Sequence, residues 1–510
     1  MRTAKKSVSF ISIITIGYIL SVCILSVCLL LAGCSANEFG SILLKPEPGT
    51  KLYRNEYFGF SFDYNGFTLD DSMEAVKTSF TSDSTKVEIY FDDFRGRKDD
   101  SDTIGYGNNS IKKGPYIYNV KTQDISYREH KAKLYKWELK ALKHVDYYKY
   151  FASVEIYKSS KEIYTIYIKS KAEINVNDFI SRFAIFDRKS SNTLKPIKLM
   201  NDNGKYKGRL KRFYNDNFCQ SKLQWGIFEP STIKGLQKLQ RLEKDLDYKF
   251  NALLQYYDLK QTIDISNLKE ITRSGRFVEF TYQTTIYGIH NPNYMYEILD
   301  GCHDDALNTL AERLKDLKKP ILFRLNNEMN GDWCDYCAYH YQKDTDIFII
   351  VWKHIYRKFR EAGAENVLWV WNPNWGDFPD FKWNHYLNYF PGVEYVDIIG
   401  LTGYNTGNYY KAEKWKSFRE IYDPMVKEYK EYFINYPLVI TEFGCSDCGG
   451  DKAAWLLDMF DVIDSYGISL AIYWNSKDYD AAAGIPSRTY CFTEDDRLMN
   501  IMRNGLKLYK

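Results

Sequence analysis

From residue 216 to residue 510 the chain repeats one alternation, a short apolar run followed by a segment at helical period. The runs are 223–228, 252–256, 277–282, 321–325, 367–371, 396–401, 438–441 and 470–474. Their near-continuous apolar character, without a polar face, is that of parallel strands buried on both sides. Between them lie helical stretches such as 304–318, 345–362, 452–466 and 496–508, with Gly363 where a helix C-cap belongs. Eight strands alternating with helices predict a (β/α)8 TIM barrel over 216–510.

The front of the chain differs. Arg2, Lys5 and Lys6 precede an apolar run ending in Leu31-Ala32-Gly33-Cys34. This pattern resembles the lipobox of bacterial lipoproteins, in which the cysteine is lipidated. Residues 1–34 are therefore expected to be a lipoprotein signal peptide, with an uncleaved membrane anchor as the alternative. Either places the rest of the chain outside the cytoplasm, tethered to the bacterial cell membrane. Residues 35–50 are a polar tether with two prolines. Residues 51–187 carry short β-rich runs (57–64, 87–91, 134–139, 151–157, 163–168) and two helix-like stretches, 71–79 and 177–183. They predict a small α+β or mostly β domain, read as a packing domain, with an accessory glycan-binding module as the alternative. Residues 188–215 are polar and are expected to be a linker.

The net charge of +3 is close to balanced, and no basic block is interleaved with aromatics. A nucleic-acid groove is thereby excluded as an expectation. Aromatic residues make up 17% of the chain, with 44 Tyr and 11 Trp, more than cores require. Such rings suit stacking against sugar faces.

The chemistry concentrates at two strand ends. Residues 324–333 read RLNNEMNGDW and place Glu328 just beyond the fourth strand, among the amides Asn326, Asn327 and Asn330. Glu442 follows the seventh strand, 442 − 328 = 114 residues later. In a barrel both would point into the same mouth, where catalytic side chains are mounted. Glycoside hydrolysis needs such a pair, one carboxyl protonated and one ionised. A separation of ~5 to 5.5 Å would force a covalent intermediate and retention of configuration.

These residues resemble glycoside hydrolase family 26. Arg324, Glu328-Met329-Asn330-Gly331 and Trp333 match its acid/base motif, and Thr441-Glu442-Phe443-Gly444 its nucleophile strand. The segments 362–374 and 396–405 resemble its fifth and sixth strands. The resemblance implies that Glu328 is the acid/base, that Glu442 is the nucleophile, and that Tyr404 donates its phenol to Glu442. It also implies that Trp474 is the floor under the sugar, with Trp333 and Trp371 as cleft wall and Arg324 and Asn327 in the substrate site.

Two departures bear on substrate. Asn327 stands where mannan-cutting members have His, and Phe280-Thr281-Tyr282-Gln283 replaces a Trp-His-Pro-like stretch. Both lie near the 2-hydroxyl that distinguishes mannose from glucose. β-1,4-Mannan is favoured, with β-1,4- or mixed-linkage glucan or xylan next. A glycan-binding lipoprotein without turnover is the rival from another class. The expected partners are a β-linked polysaccharide and, through Cys34, a membrane. The protein is expected to be a monomer without cofactor or metal.

Ten cysteines are present, and setting aside Cys23, Cys28 and Cys34 leaves an odd seven. Each catalytic motif is followed by C-x-x-C, Cys334/Cys337 and Cys445/Cys448. Disulfides or free thiols are expected there, with a four-cysteine zinc site as the alternative.

Overall fold

The computed structural model describes residues 49, 51–95, 100–189, 193–202, 205–220, 222–480 and 484–510. Cys34, the apolar leader and nearly all of the tether lie outside these residues.

Eight parallel strands close into a barrel. They are β1 (Gln224–Phe228), β2 (Ala252–Asp258), β3 (Phe277–Gln283), β4 (Ile321–Leu325), β5 (Val367–Trp371), β6 (Ile398–Asn405), β7 (Leu438–Cys445) and β8 (Leu470–Trp474). Closure is made by β1 on β8, from Gln224 opposite Leu470 to Phe228 opposite Trp474. Alternate residues fill the interior. Ala252, Leu254, Leu322, Val370, Ile398, Val439, Leu470 and Ile472 form one buried cluster with Tyr206, Tyr214 and Phe218. The last two belong to the helix Gly208–Phe218, which overlaps the end of the expected linker and plugs the N-terminal mouth of the barrel. With that end sealed, the other end alone is left for a site. The helix Asp346–Ala362 stops at Gly363, whose φ of 75° is the left-handed C-cap the sequence suggests.

The N-terminal domain is built on a seven-stranded antiparallel sheet with a three-stranded one beside it. The expected helix over 71–79 is not formed. Residues 72–76 are turns, and Thr78–Thr81 is a strand pairing with Thr85–Asp93. β-branched Thr78 and buried Phe80 gain more from the sheet than from an isolated helical turn. The second expected helix is the short Val176–Ile180.

The central strands of the large sheet, Thr85–Asp93, Tyr150–Tyr157 and Glu162–Ser170, are buried on both faces, while the edge strand Ile117–Tyr127 is largely exposed. On one face, Val87, Ile89, Phe91, Val154, Ile166 and Ile168 join Phe60, Phe62 and Phe183 in the domain's own core. On the other, Tyr90, Trp137, Phe151 and Tyr167 belong to the same core as the barrel helices. Charged groups are trapped in that junction. Lys169 Nζ lies 2.6 Å from Asp344 Oδ1, 2.7 Å from Asp346 Oδ2 and 3.2 Å from Glu88 Oε2. Nearby, Lys343 Nζ is 2.5 Å from Glu155 Oε1, and the Tyr167 hydroxyl donates to the Gln342 carbonyl at 2.8 Å.

Candidate active site

The buried guanidinium of Arg324 organises the open mouth. Its Nε donates to Thr281 Oγ1 at 2.8 Å, Nη1 to Asn372 Oδ1 at 2.9 Å, and Nη2 to Glu442 Oε2 at 3.1 Å. Glu279 Oε1 lies 2.8 Å from Nε, so the arginine sits between two carboxylates with no exposed surface. Inward-facing parity on β3, β4 and β5 makes this possible, since Glu279, Thr281, Arg324 and Asn372 all point into the barrel.

Glu442 is buried, and three donors converge on it. Besides Arg324, Asn327 Nδ2 reaches Oε1 at 3.2 Å, and the Tyr256 hydroxyl donates to Oε2. The phenol on this carboxylate is therefore that of Tyr256 on β2, not that of Tyr404 as the resemblance implied. Tyr404 instead sets its ring edge-on to Trp474, with centroids 6.1 Å apart, and against Tyr490 at 5.0 Å. The negative charge of Glu328 reaches the Tyr404 phenol and adds to the burial that holds its pKa high, so Tyr404 belongs to the mouth without serving Glu442.

Glu328 is half-buried and takes a left-handed backbone conformation, φ 56°, as does Asn326 at 49°. Such conformations are costly for residues with a Cβ and persist where the surroundings enforce them. The Glu328 amide donates to the Asn372 carbonyl at 2.8 Å, pinning the turn to the end of β5. Asn330 ties the same loop down, accepting from the Asn374 amide at 2.8 Å and donating to Asp377 Oδ1 at 2.9 Å.

Burial pushes Glu328 up to about 7, with Arg324 and then the Trp333 indole pulling the other way. Burial, with the Asp478 carboxylate adding to it, pushes Glu442 up to about 8. The donors set the roles against that order. A guanidinium, an amide and a phenol all favour the ionised form of Glu442. Glu328 has no comparable set and is the better placed to keep a proton.

Trp474 is half-buried at the end of β8, stacked on Phe228 at 5.3 Å. Trp333 is 54% exposed beside Phe378, and its ring lies where a Cβ on Gly331 would be, so that glycine cannot be replaced without moving the indole. Trp371, expected in the cleft wall, lies elsewhere. It is fully buried on the outside of the barrel among Tyr386, Phe390 and Phe433, with its Nε1 donating to the Tyr389 carbonyl at 3.3 Å. Its neighbour Val370 takes the inward place, so Trp371 packs helices and is not cleft wall.

Gln283, the last residue of the stretch that departs from the mannan-cutting pattern, is itself a site residue. From the end of β3 its Nε2 donates to Asn327 Oδ1 at 3.0 Å, which turns the Asn327 amide toward Glu442. All seven cysteines of the described residues are free thiols. Cys334, Cys337, Cys445 and Cys448 form neither disulfides nor a metal-type cluster there. Cys445 instead accepts from Asn405 Nδ2 at 3.2 Å.

A closed (β/α)8 barrel with glutamates at the ends of its fourth and seventh strands has the architecture of the barrel glycoside hydrolases. Residues 232–456, most of the barrel, match the model of glycosyl hydrolase family 26. Endoglucanase H of Acetivibrio thermocellus is 28% identical over 249 residues, 48% of this chain and 26% of that protein. A mannan endo-1,4-beta-mannosidase of Bacillus subtilis is 38% identical over 181 residues, 31% of this chain and 49% of that one. The chain thus spans between a quarter and half of the length of these relatives. Among solved structures, a GH26 beta-mannanase from Bacteroides ovatus covers 59% of this chain and 93% of its own, at 15% identity and a TM-score of 0.45, too loose a likeness to bear on function.

Proposed function

We propose that this protein is an endo-acting retaining β-glycosidase that hydrolyses β-1,4-mannan outside the cytoplasm, held to the membrane by a lipid on Cys34. The observation that carries the catalytic part is the unequal surroundings of two carboxyls at one barrel mouth. Glu442, supplied with three donors, attacks the anomeric carbon as Glu328 gives its proton to the departing glycosidic oxygen. Glu328 then takes a proton from water, and the hydroxide formed displaces Glu442 from the sugar. Arg324 and Asn327 hold the nucleophile, and Trp474 with Trp333 offers rings to the sugar. The family match and relatives named as mannan endo-1,4-beta-mannosidases support mannan. A specific observation favours β-1,4-glucan as the second reading. Gln283 donates to Asn327, the residue that the resemblance sets against the 2-hydroxyl, and one relative is named an endoglucanase.

The test is hydrolysis of glucomannan, linear mannan, mixed-linkage glucan and xylan by purified protein, with the anomer first formed read by NMR. Mannan cleavage with a β-anomer formed first is the expected result. Cleavage of glucan alone would move the substrate, and an α-anomer would overturn retention. Incorporation of labelled palmitate that disappears in Cys34→Ala tests the anchor.

One prediction follows from Tyr256. Its hydroxyl stabilises the Glu442 carboxylate, so Tyr256→Phe raises the pKa of that group. The acidic limb of the kcat/KM profile, which reports protonation of Glu442 as pH falls, should move to higher pH. The basic limb, reporting loss of the Glu328 proton, should stay. An unmoved acidic limb would mean that the phenol does not serve the nucleophile.

A further inference from the structure

A second cluster of chemically capable side chains lies away from the barrel mouth, on the junction between the two domains. His144 comes from the turn between the N-terminal-domain strands His130–Leu139 and Tyr150–Tyr157, and its backbone amide is fixed on the Leu299 carbonyl at 2.8 Å. Asp304 opens the barrel helix Asp304–Leu317, and His354 lies midway along the helix Asp346–Ala362. The two imidazoles stack with centroids 4.7 Å apart and 27° between planes. His144 Nε2 is 2.8 Å from Asp304 Oδ2, and His354 Nε2 is 3.8 Å from Asp304 Oδ1.

The decisive atom is His354 Nε2. The residue is 7% exposed, and this nitrogen is buried without a hydrogen-bond partner although it faces the cluster. A buried ring nitrogen in that state is unfavourable and calls for a partner. We propose that His144, Asp304 and His354 form a zinc-type metal site that ties the N-terminal domain to the barrel. Their ligand atoms all lie within 4.8 Å of one another. Bonds of about 2.0–2.2 Å in a tetrahedron set ligand atoms roughly 3.3–3.5 Å apart, so small side-chain rotations close the site. Two imidazole nitrogens and one carboxylate suit zinc, cobalt or nickel rather than calcium or magnesium, with water as the fourth ligand.

Two ammonium groups compete for the same carboxylate. Lys358 Nζ is 3.0 Å from Asp304 Oδ1, and Lys143 Nζ is 3.8 Å from Oδ2. Both have somewhere to go. Lys358 already donates to Asn308 Oδ1 at 3.1 Å, and the Lys143 side chain is 62% exposed. A metal ion would take over their role of neutralising Asp304 and would give the unpartnered His354 Nε2 a bond.

The experiment uses the full-length chain in detergent, metal-stripped and kept reduced, titrated with Zn²⁺ and with Co²⁺. The expected results are one high-affinity equivalent, a rise in Tm with zinc, and a tetrahedral cobalt spectrum without a thiolate charge-transfer band. His354→Gln and His144→Gln should each lose that equivalent. Lys358→Met, which removes the competing charge without touching a ligand, should bind zinc more tightly than the parent. Circular dichroism of each metal-free variant separates lost ligation from lost folding. Zinc bound as tightly by both histidine variants, or a cobalt spectrum dominated by thiolate charge transfer, would overturn the assignment.

Discussion

Glu442→Ala is expected to lower turnover by about 10⁴-fold or more, the scale of losing a covalent nucleophile. Added azide is expected to restore cleavage and to yield an α-glycosyl azide. The reason lies in what the substitution leaves behind. Arg324 Nη2, Asn327 Nδ2 and the Tyr256 hydroxyl still point at the vacated volume, which makes it a pocket for a small anion below the anomeric carbon. Arg324 keeps Glu279 as a partner, so removing one carboxylate does not strand its charge. Glu328→Ala should behave differently. Substrates with good leaving groups should retain their first step, because proton donation is then dispensable. Product analysis by NMR on an activated aryl glycoside checks both variants. A β-azide from Glu442→Ala, or identical behaviour of the two variants, would refute the roles assigned.

The second large effect is expected far from the mouth. Lys169→Met should cost about 3–5 kcal/mol of stability at neutral pH, the penalty for leaving buried charges without their partner. Lys169 is 1% exposed and faces Asp344, Asp346 and Glu88, two carboxylates from the barrel and one from its own sheet. Methionine fills the volume, and Glu88 and Asp346 are left to Lys77 and Lys86. Asp344 keeps no cation among the described residues, only donors such as the Tyr147 hydroxyl. The sign of the pH dependence follows from the shifts. Lys169 and its neighbours hold Glu88 and Asp346 below the ordinary carboxylate range, so their contribution is present above the unfolded pKa, about 4, and fades as pH falls through the folded values. Asp344, raised by burial, runs the other way and weakens the trend without reversing it. The gap between parent and variant in urea unfolding should therefore narrow as the pH is lowered below about 4. A cost under about 1 kcal/mol, the value of an exposed pair, would show that these charges are not truly trapped.

How much of this was written legibly in the chain varies with the physics involved. The strands at 321–325, 367–371 and 470–474 coincide with β4, β5 and β8, because an apolar run bounded by polar and turn residues leaves little choice. Which side chains face inward was far less legible. Parallel strands buried on both faces carry no alternation, so Val370 and Trp371 are equally apolar although only the valine enters the barrel. The same ambiguity hid Tyr256. In Tyr256-Tyr257 one ring reaches Glu442 and the other packs on Phe280 at 4.3 Å, and nothing local separates them. Glu328 and Glu442 stood out because each motif combines a strand end, a carboxylate and amides within a few residues. The contacts of Lys169 could not be seen at all, since its barrel partners lie 175 and 177 residues away.

The large N-terminal sheet, covered on both sides at its centre, has a consequence for modularity. A carbohydrate-binding appendage can be cut away or transplanted because one of its faces belongs to solvent. Here the second face is Tyr90, Trp137, Phe151 and Tyr167, seated on the barrel helices. Excising the barrel as a cassette would strip that apolar cover and uncap Asp344 and Asp346 together. The two halves share one buried core, so a transplanted version of this catalyst is expected to need its N-terminal sheet.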